Sequence, residues 1–203
     1  MRVAAIDIGS NSVRLLVAEI PDAEPWGPNL DTIARAGEAC RLGKGLHVSG
    51  KVDDDLVDRA ATIVAEFLRR ARSLGARNIV AAATAALRRA SNGAAAAERI
   101  SEVAGVPVRI LSEADEARLV YRSVVMGLGK PVRGSQCVVF DLGGGSTEVV
   151  CGVGERLGRW TSLPFGAVTL TERLLSADPP TDSQLADARD WVRNELMHGC
   201  ASF

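Results

Sequence analysis

At 203 residues the chain is long for one domain and short for two, and its apolar content of 47% is enough to build a core. The 24 basic and 25 acidic residues nearly cancel, so no overall field indicates a nucleic-acid or membrane partner. The 4 cysteines form no C-x-x-C pair and only 2 histidines are present, which argues against a disulfide framework or a structural zinc site. Free thiols, with no signal-like or membrane-length apolar run, predict a soluble cytoplasmic protein.

The first half of the chain opens with a predicted hairpin and continues as an alternation of strands and helices. Asp53 is predicted to cap the most regular helix, which runs to about Leu74, because apolar residues recur there at helical spacing and Gly75 follows. The predicted order is strands 3–9 and 13–20, a loop at 21–28, a strand at 30–36, a basic glycine-rich loop at 41–46, the Asp53 helix, a strand at 78–83, a turn or short helix at 84–90, a helix at 91–104, a strand at 106–111 and a helix at 112–126.

The second half is shorter, and residues 127–134 separate it from the first. Their glycines, proline and basic side chains indicate a boundary between a domain at 1–127 and a domain at 128–203. Predicted strands at 137–140, 149–153 and 156–163 precede a helix to about residue 175 and a last helix that Thr181 and Gln184 begin as a capping box. Alternating strands and helices predict an α/β fold with mixed sheets. A complete copy of the first half would need two further strands with their helices, so the second domain is predicted to be incomplete.

A polar turn joins two apolar strands at residues 140–148, where an acid, three glycines, a serine, a threonine and a second acid follow one another. Glycines allow a backbone to approach a ligand closely and to turn its N–H groups inward around a phosphate. The two carboxylates would repel phosphate themselves, but they could hold a divalent cation that attracts it. An ordinary tight hairpin turn is the alternative interpretation.

The same layout occurs near the start of the chain, at residues 3–17, which favours the functional interpretation. Two distant copies are too far apart for a solenoid repeat and predict two related domains, each beginning with a strand, a polar turn and a strand. Such a pair of turns resembles the phosphate-holding turns of the actin, sugar kinase and heat-shock ATPase superfamily. The matching positions are Asp7 with Asp141, Gly9 with Gly143, Ser12 with Ser146, and Arg14 with Glu148.

The two turns and one strand end supply the candidate ligands. Arg14 offers a bidentate donor for phosphate oxygens, although an exposed strand-edge arginine is the alternative. Arg88 follows a buried strand, where α/β proteins place ligand contacts, and a solvated basic turn is its alternative. The predicted phosphate-binding residues are Gly9, Ser10, Asn11, Ser12, Arg14, Arg88, Gly143, Gly144, Gly145 and Ser146, and the predicted metal ligands are Asp141, Glu148 and Asp7.

Two acids begin the helix predicted at 112–126. Asp115 is accounted for by its favourable position at the positive end of the helix dipole. Glu116 lies on an adjacent helical face, from which it could point into a cleft as a general base.

Six segments together resemble the exopolyphosphatase/guanosine pentaphosphate phosphatase family of the actin-like superfamily. Three lie in the first hundred residues: Asp-x-Gly-Ser-Asn-Ser-x-Arg at 7–14, Arg-Leu-Gly-x-Gly-Leu at 41–46 and Ala-Thr-x-Ala-x-Arg-x-Ala-x-Asn at 83–92. The other three are Ser-x-x-x-Glu-Ala-Arg-Leu at 112–119, Asp-Leu-Gly-Gly-Gly-Ser-Thr-Glu at 141–148 and Gly-Ala-Val-x-Leu-Thr-Glu at 166–172. The resemblance implies an Mg²⁺-dependent hydrolase that removes the terminal phosphate from polyphosphate or guanosine pentaphosphate, the latter a stringent-response alarmone. It also implies that Glu116 is the catalytic glutamate.

The chain departs from the family pattern in three places and in length. Glu113 stands where the family has glycine, Asp115 replaces the first acid of a pair, and Lys44 stands where an acid is common. Family members continue well past residue 203, so the resemblance implies a shortened second domain with an exposed sheet edge. Such an edge favours self-association, and a homodimer is predicted.

Two other functions stay open at this stage. A phosphotransferase of the same superfamily would transfer phosphate from ATP to a small acceptor, but it needs an adenosine pocket in the part of the second domain that is missing. A non-catalytic remnant would bind polyphosphate or an alarmone without hydrolysing it. One fold serves several chemistries, so the fold does not decide among the three.

Overall fold

The computed structural model describes residues 1–20, 30–128, 132, 134–201 and 203. The chain divides into two units, Met1–Ser112 (unit 1) and Glu113–Phe203 (unit 2). The loop predicted at 21–28, and residues 129–131 and 133 of the predicted boundary segment, lie outside the described residues. In the described ranges, no helix combines the length and apolar character that crossing a membrane requires.

Unit 1 is a five-stranded mixed sheet with helices. Its elements are β1 (Arg2–Ile8), β2 (Ser12–Glu19), β3 (Asp31–Ala39), α1 (Leu46–Ser49), α2 (Asp54–Ser73), β4 (Asn78–Ala83), α3 (Ala85–Arg89), α4 (Gly93–Ala104) and β5 (Val108–Ile110). The strand order is β3-β2-β1-β4-β5. The β1–β2 and β2–β3 pairs are antiparallel, whereas β1–β4 and β4–β5 are parallel. The predicted α/β class with a mixed sheet is therefore confirmed for unit 1.

The core of unit 1 lies between one sheet face and the helices α2 and α4. Alternate residues of β1 point into it, and so does the apolar stripe of α2 that its helical spacing predicted. Asp53 caps α2 as predicted, because its carboxylate accepts hydrogen bonds from the backbone N–H groups of Asp55 (2.9 Å) and Leu56 (3.3 Å). Gly75 follows the helix with a φ of 83°, a left-handed conformation that favours glycine.

Unit 2 is a three-stranded antiparallel sheet with helices on both faces. Its elements are α5 (Glu113–Leu128), β6 (Gln136–Leu142), β7 (Thr147–Val153), β8 (Arg156–Leu163), α6 (Ala167–Leu174) and α7 (Asp182–Gly199), and the strand order is β6-β7-β8. Ala117, Tyr121 and Val125 of α5 pack on one face of the sheet. On the other face, Val149, Leu163 and Phe165 pack with residues of α6 and α7, including Trp191 and Leu196.

Helix α7 begins with the predicted capping box. The Thr181 hydroxyl accepts a hydrogen bond from the Gln184 N–H (3.3 Å), and the Gln184 side chain accepts one from the Thr181 N–H (3.1 Å). At the other end of the unit, α5 groups with the second sheet, so the two units divide one helix earlier than the predicted domain boundary. The division at 127 and 128 stays a prediction about the two related domains.

Candidate active site

The two predicted turns have the same backbone geometry. Residues 9–12 connect β1 to β2 (turn 1), and residues 143–146 connect β6 to β7 (turn 2). The Gly9 N–H donates to the Ser12 carbonyl at 3.0 Å, and the Gly143 N–H donates to the Ser146 carbonyl at 2.9 Å. Corresponding positions are 134 residues apart, as Gly9 and Gly143 are. The predicted duplication is therefore present in the hydrogen bonding as well as in the residue types.

Close backbone approach explains the glycine that begins each turn. A Cβ atom at Gly9 would lie 3.1 Å from the Ser12 carbonyl oxygen, and a Cβ atom at Gly143 would lie 3.1 Å from the Ser146 carbonyl oxygen. Each contact is tighter than a real Cβ usually makes. With any other residue, the facing backbone would have to give by a few tenths of an ångström.

The charges beside the two turns differ. Asp7 lies opposite Arg14 on the neighbouring strand, whereas the corresponding pair beside turn 2 is Asp141 opposite Glu148. Side chains at directly opposite positions of an antiparallel pair are within interaction distance. Turn 1 thus carries a cation and an anion, and turn 2 carries two acids. An anion can therefore be attracted directly by the cation beside turn 1, whereas turn 2 needs a bound cation to attract one.

The loop after β3 holds turn 1 through its carbonyls. The Ser10 carbonyl accepts a hydrogen bond from the Gly43 N–H (2.8 Å), and the Asn11 carbonyl accepts hydrogen bonds from the N–H groups of Cys40 (3.0 Å) and Arg41 (2.9 Å). Arg41 adopts a φ of 55°, a left-handed conformation that is uncommon outside glycine. The basic loop that the sequence singled out is therefore part of the support of turn 1.

Helix α6 holds turn 2 in a different way. The N–H of Ala167 donates to the Gly143 carbonyl at 2.9 Å, and the N–H of Val168 donates to the Gly144 carbonyl at 2.9 Å. Just before α6, a Cβ atom at Gly166 would lie 2.5 Å from the Gly143 carbonyl oxygen. The first turn of α6 thus satisfies its N–H groups with the carbonyls of turn 2. Helix and turn can approach only because position 166 is glycine.

Glu148 is a buried acid, with 1% of its surface exposed. The Ser162 hydroxyl donates to its Oε1 atom at 2.9 Å. Burial raises the pKa of the Glu148 carboxyl above its ordinary 4.5, and the negative charges of Glu116 and then Asp141 raise it further. Hydrogen bonds from Ser162 and Ser146 act in the opposite direction and lower that pKa. Three of the predicted functional acids therefore form one electrostatic cluster in unit 2.

The two acids that begin α5 have different surroundings. Asp115 forms an ion pair with Arg118 one helical turn later, at 3.7 Å. Glu116 is half-buried and interacts electrostatically with Glu148. Asp115 thus pairs within its own helix, whereas Glu116 belongs to the same electrostatic cluster as Glu148. The catalytic role of Glu116 stays a prediction.

The two predicted arginines lie in unit 1. Arg14 is exposed on β2 beside turn 1. Arg88 is half-buried in α3, and its Nη1 atom donates to the Leu111 carbonyl at 3.1 Å. This bond ties α3 to the end of β5. The structure thus gives Arg88 a packing contact, and its predicted phosphate-binding role stays a prediction.

Unit 2 provides carboxylates that fit Mg²⁺. Within the described ranges, no group of three or more His, Cys, Asp or Glu side chains is arranged to hold a metal ion. Mg²⁺ does not need such a cage, because it usually keeps several waters and binds one or two carboxylates together with substrate phosphates. Asp141 and Glu148 lie opposite each other on facing strands, and their predicted role as metal ligands stays a prediction. The predicted third ligand, Asp7, lies in unit 1.

Sequence reasoning did not find three contributors to turn 2. Ser162 hydrogen-bonds Glu148, Gly166 makes room for α6, and the Phe165 carbonyl accepts a buried hydrogen bond from the Thr147 hydroxyl at 2.7 Å. Gly166 does begin one of the six segments that resemble the family, at 166–172. Its contact with turn 2 is a long-range one, which local patterns do not show.

Fold and site together define an α/β protein of the actin-like two-domain class, with a duplicated glycine turn and an incomplete second domain. The model of the Ppx/GppA phosphatase family matches residues 16–202. The chain therefore belongs to the Ppx/GppA phosphatase family.

Individual relatives agree with this assignment. The chain is 35% identical over 200 residues to exopolyphosphatase 2 of Mycobacterium tuberculosis, covering 96% of this chain and 61% of the relative. It is 34% identical over 196 residues to exopolyphosphatase 1 of Mycobacterium leprae, covering 97% and 56%. The chain thus spans about three fifths of the curated relatives it matches.

Solved structures give the same result. The Aquifex aeolicus member of the Ppx/GppA family has a TM-score of 0.75 and 34% identity, covering 98% of this chain and 62% of that one. An exopolyphosphatase from Cytophaga hutchinsonii has a TM-score of 0.85 and 25% identity, covering 97% and 61%.

Proposed function

We propose that this chain is a Mg²⁺-dependent phosphoanhydride hydrolase that releases terminal phosphate from inorganic polyphosphate, from guanosine pentaphosphate, or from both. The observation that carries the proposal is the acid cluster of Glu148, Glu116 and Asp141 beside the glycine turn at 143–146. Relatives named as exopolyphosphatases support the polyphosphate part. We also propose a cytoplasmic location and, from the open second sheet, a homodimer.

The electrostatics of the cluster explain why a cation is needed. A phosphate chain carries about one negative charge per residue, and three carboxylates beside turn 2 would repel it. Asp141 and Glu148 would hold Mg²⁺ together with water and phosphate oxygens. When bound, the ion would neutralise the negative charge that accumulates at the phosphate during hydrolysis.

Turn 1, within unit 1, has a cation beside it. The carbonyls of Ser10 and Asn11 are engaged by the loop after β3, which holds the turn in one conformation. A preorganised turn with inward N–H groups and a neighbouring guanidinium is suited to phosphate oxygens. In this mechanism, Arg14 and the N–H groups of turn 1 bind phosphate, and Arg88 adds a second cation.

Glu116 is the proposed general base. It is half-buried at the start of α5, and it is close enough to Glu148 for its charge to raise the pKa of the Glu148 carboxyl. Such a carboxylate can accept a proton from a water molecule as that water attacks the terminal phosphorus in line with the leaving oxygen.

The test is phosphate release from long-chain polyphosphate with Mg²⁺, comparing wild type with Glu116→Gln. A glutamate base contributes a factor of about 10²–10⁴, so the variant should lose that much turnover and keep its affinity for polyphosphate. Glu102→Gln is the control, because Glu102 is an exposed helical glutamate on α4. Equal turnover in Glu116→Gln and wild type would remove Glu116 from this role.

The same assay separates the substrates and the alternatives. Parallel reactions with polyphosphate and with guanosine pentaphosphate give the ratio of the two kcat/KM values, and this ratio defines the preferred substrate. Binding of polyphosphate without phosphate release would indicate a binding protein in place of a hydrolase. Phosphate transfer from ATP to a small acceptor would indicate a phosphotransferase.

A further inference from the structure

Several arginines lie together at the end of unit 1 where β1 and β4 begin and α2 ends. Val3 pairs with Asn78 at the start of the two parallel strands, and the Arg77 N–H donates to the Arg2 carbonyl at 3.4 Å. The Nη1 atom of Arg2 donates to the carbonyl of Leu74, the residue that follows α2, at 2.5 Å. These contacts bring the starts of both strands against the last turn of α2. The arginines of this region form the arginine patch, which consists of Arg2, Arg69, Arg70, Arg72 and Arg77.

The arginine patch carries an excess of positive charge. Arg2 is half-buried and forms an ion pair with Glu19 at 3.1 Å, whereas the other four arginines are exposed. Within the described ranges, none of these four forms an ion pair. The second acid nearby is Glu66, one helical turn before Arg69 and Arg70 on α2. Five arginines against two acids leave an excess of three positive charges, although the whole chain has a net charge of −1.

The helix dipole accounts for only part of this arrangement. Positive charges are favoured in the last turn of a helix, and Arg70 and Arg72 occupy that turn of α2. Arg77, however, lies beyond the helix. Arg69 and Arg72 are three residues apart on the same exposed helical face, where like charges repel each other. A bound polyanion would remove this repulsion.

The arginine patch lies at the opposite end of β1 from turn 1. Arg2 begins β1, and Gly9 of turn 1 follows its last residue. The 7 residues of β1 span roughly 23 Å at about 3.3 Å per residue. A ligand with one or two phosphates at turn 1 therefore does not reach the patch, whereas a long phosphate chain is able to contact both.

The side chains of the patch fit a phosphate polymer better than a nucleic acid. Proteins that bind single-stranded nucleic acid combine basic side chains with exposed aromatic side chains on which the bases stack. Along residues 62–78, the one aromatic side chain is Phe67, which is 5% exposed and packs in the core. The patch thus offers positive charge without a stacking surface. This combination matches a polymer that has phosphates and no bases.

We propose that the arginine patch is a second binding site for linear polyphosphate, which holds the distant part of a long chain whose terminal phosphates are bound at turn 1. Guanidinium groups bind phosphate oxygens through charge-assisted hydrogen bonds, and neutralising the polymer releases its counterions. The choice of polyphosphate as the ligand rests on the proposed function. Binding at the patch does not itself require hydrolysis.

The test measures binding of fluorescently labelled long-chain polyphosphate by anisotropy, in chelator so that hydrolysis does not interfere. It compares wild type with the patch variant, which combines Arg69→Gln and Arg72→Gln. The patch variant should bind about tenfold more weakly, and its plot of log affinity against log salt should be shallower by about two, because each phosphate contact contributes about one to that slope. Both side chains are exposed, so the patch variant should melt at the temperature of wild type.

Two controls separate the patch from total charge and from folding. Arg189→Gln combined with Arg193→Gln removes the same charge from exposed positions of α7 in unit 2, and it should leave the affinity within about twofold. Arg69→Lys combined with Arg72→Lys keeps the charge of the patch and should retain most of the affinity. Unchanged affinity and salt slope in the patch variant would overturn the proposal, and so would absence of binding by wild type.

Hydrolysis assays with Mg²⁺ distinguish failure of this proposal from failure of the proposed function. In the patch variant, KM for long-chain polyphosphate should rise, while kcat/KM for tripolyphosphate should equal that of wild type. Weaker binding by the patch variant of a chain that releases no phosphate would support the patch and contradict the proposed function. Single-stranded RNA that displaces polyphosphate at an equal or lower phosphate concentration would overturn the proposal, because the ligand would then be a nucleic acid.

Discussion

At the scale of single residues, Glu148 is an acid in surroundings that disfavour its ionised form. It is an acid with 1% exposure, and two further acids raise the pKa of its carboxyl. A buried charge that is not fully compensated costs stability. Hydrogen bonds from Ser162 and Ser146 compensate only part of this cost, and a bound cation would compensate the remainder.

This environment predicts a particular pH dependence of stability. The pKa of Glu148 is raised in the folded state, so folding is favoured while the carboxyl is protonated in both states, below its ordinary pKa of 4.5. That contribution is lost as the pH rises from 4.5 through the folded-state pKa, because the unfolded chain then ionises more readily. Glu148→Gln cannot ionise and should be more stable than wild type at neutral pH.

Urea unfolding of both proteins between pH 4 and pH 8 in chelator measures the difference in free energy of unfolding. The gain from Glu148→Gln should shrink towards low pH and should also shrink when Mg²⁺ is added. Exposed Glu102→Gln should give no such trend. Parallel stability curves for wild type and Glu148→Gln would contradict the assigned environment.

The sequence predicted the residues of the turns well and their neighbours poorly. The turn residues are adjacent in the chain, so local residue types were sufficient. Ser162 was missed because the β7–β8 pairing contains an irregularity between Val150 and Gly152. If the pairing continued regularly from Val153 opposite Arg156, Glu148 would lie opposite Thr161. Because of the irregularity, Glu148 lies opposite Ser162. A bulge moves every subsequent partner to the other face of the strand.

At the scale of elements, turn 2 and α6 form one hydrogen-bonded assembly. The carbonyls of Gly143 and Gly144 accept the first N–H groups of α6. Each of these bonds satisfies an N–H group at the start of α6 that has no partner within the helix. The bonds therefore also hold the loop in place. The position of the turn that is proposed to bind phosphate therefore depends on α6.

Gly166→Ala tests this dependence. The added Cβ would lie 2.5 Å from the Gly143 carbonyl oxygen and 2.6 Å from the Gly144 carbonyl carbon, so the turn or the helix must move. Phosphate release should fall by roughly tenfold or more, because misplacing a bound group by about 1 Å can cost about 10²-fold. Gly127→Ala is the control, since no atom lies within 4 Å of its added Cβ. Similar losses in both variants would contradict the steric explanation.

Most elements could be predicted because the residues that begin and end them lie next to them in the sequence. The caps at Asp53 and Thr181 and the strand at 156–163 agree with the structure. Strand β5 is shorter than predicted, since it pairs with β4 only from Val108 to Ile110. How far a strand extends depends on its neighbour, and a single sequence does not contain that information.

At the scale of the whole molecule, the two units have unequal cores. The larger buried cluster of the described residues belongs to unit 1, where α2, α4 and the sheet enclose it. Unit 2 has two smaller clusters, one on each face of three strands. Since burial of apolar surface is the main source of stability, unit 2 should unfold at a lower denaturant concentration.

Tryptophan fluorescence can test this order. Trp160 and Trp191 lie in unit 2, and Trp26 is the third tryptophan of the chain. In a Trp26→Phe background, fluorescence reports on unit 2 alone, whereas circular dichroism follows both units. The fluorescence midpoint in urea should precede the dichroism midpoint. Coincident midpoints would indicate one cooperative transition.

Long-range packing decides that α5 groups with unit 2, and the predicted domain boundary at 127 and 128 stays a prediction. Composition pointed to the glycine-rich segment at 127–134, yet α5 packs through Ala117 and Tyr121 on the second sheet. The Tyr121 hydroxyl donates to the Gly154 carbonyl at 2.8 Å, across the turn between β7 and β8. Composition does not reveal on which sheet a connecting helix packs.

The correspondence between positions of unit 1 and those 134 residues later in unit 2 also provides a template for protein engineering. Unit 1 specifies the parts that close its own sheet, a strand of 6 residues and a helix of 12 residues joined through a short helical segment. The same combination of strand and helix, redesigned to pack on Val138, Phe140 and Leu142, defines an insert that would cover these exposed side chains. One half of the molecule is thus the design template for the other.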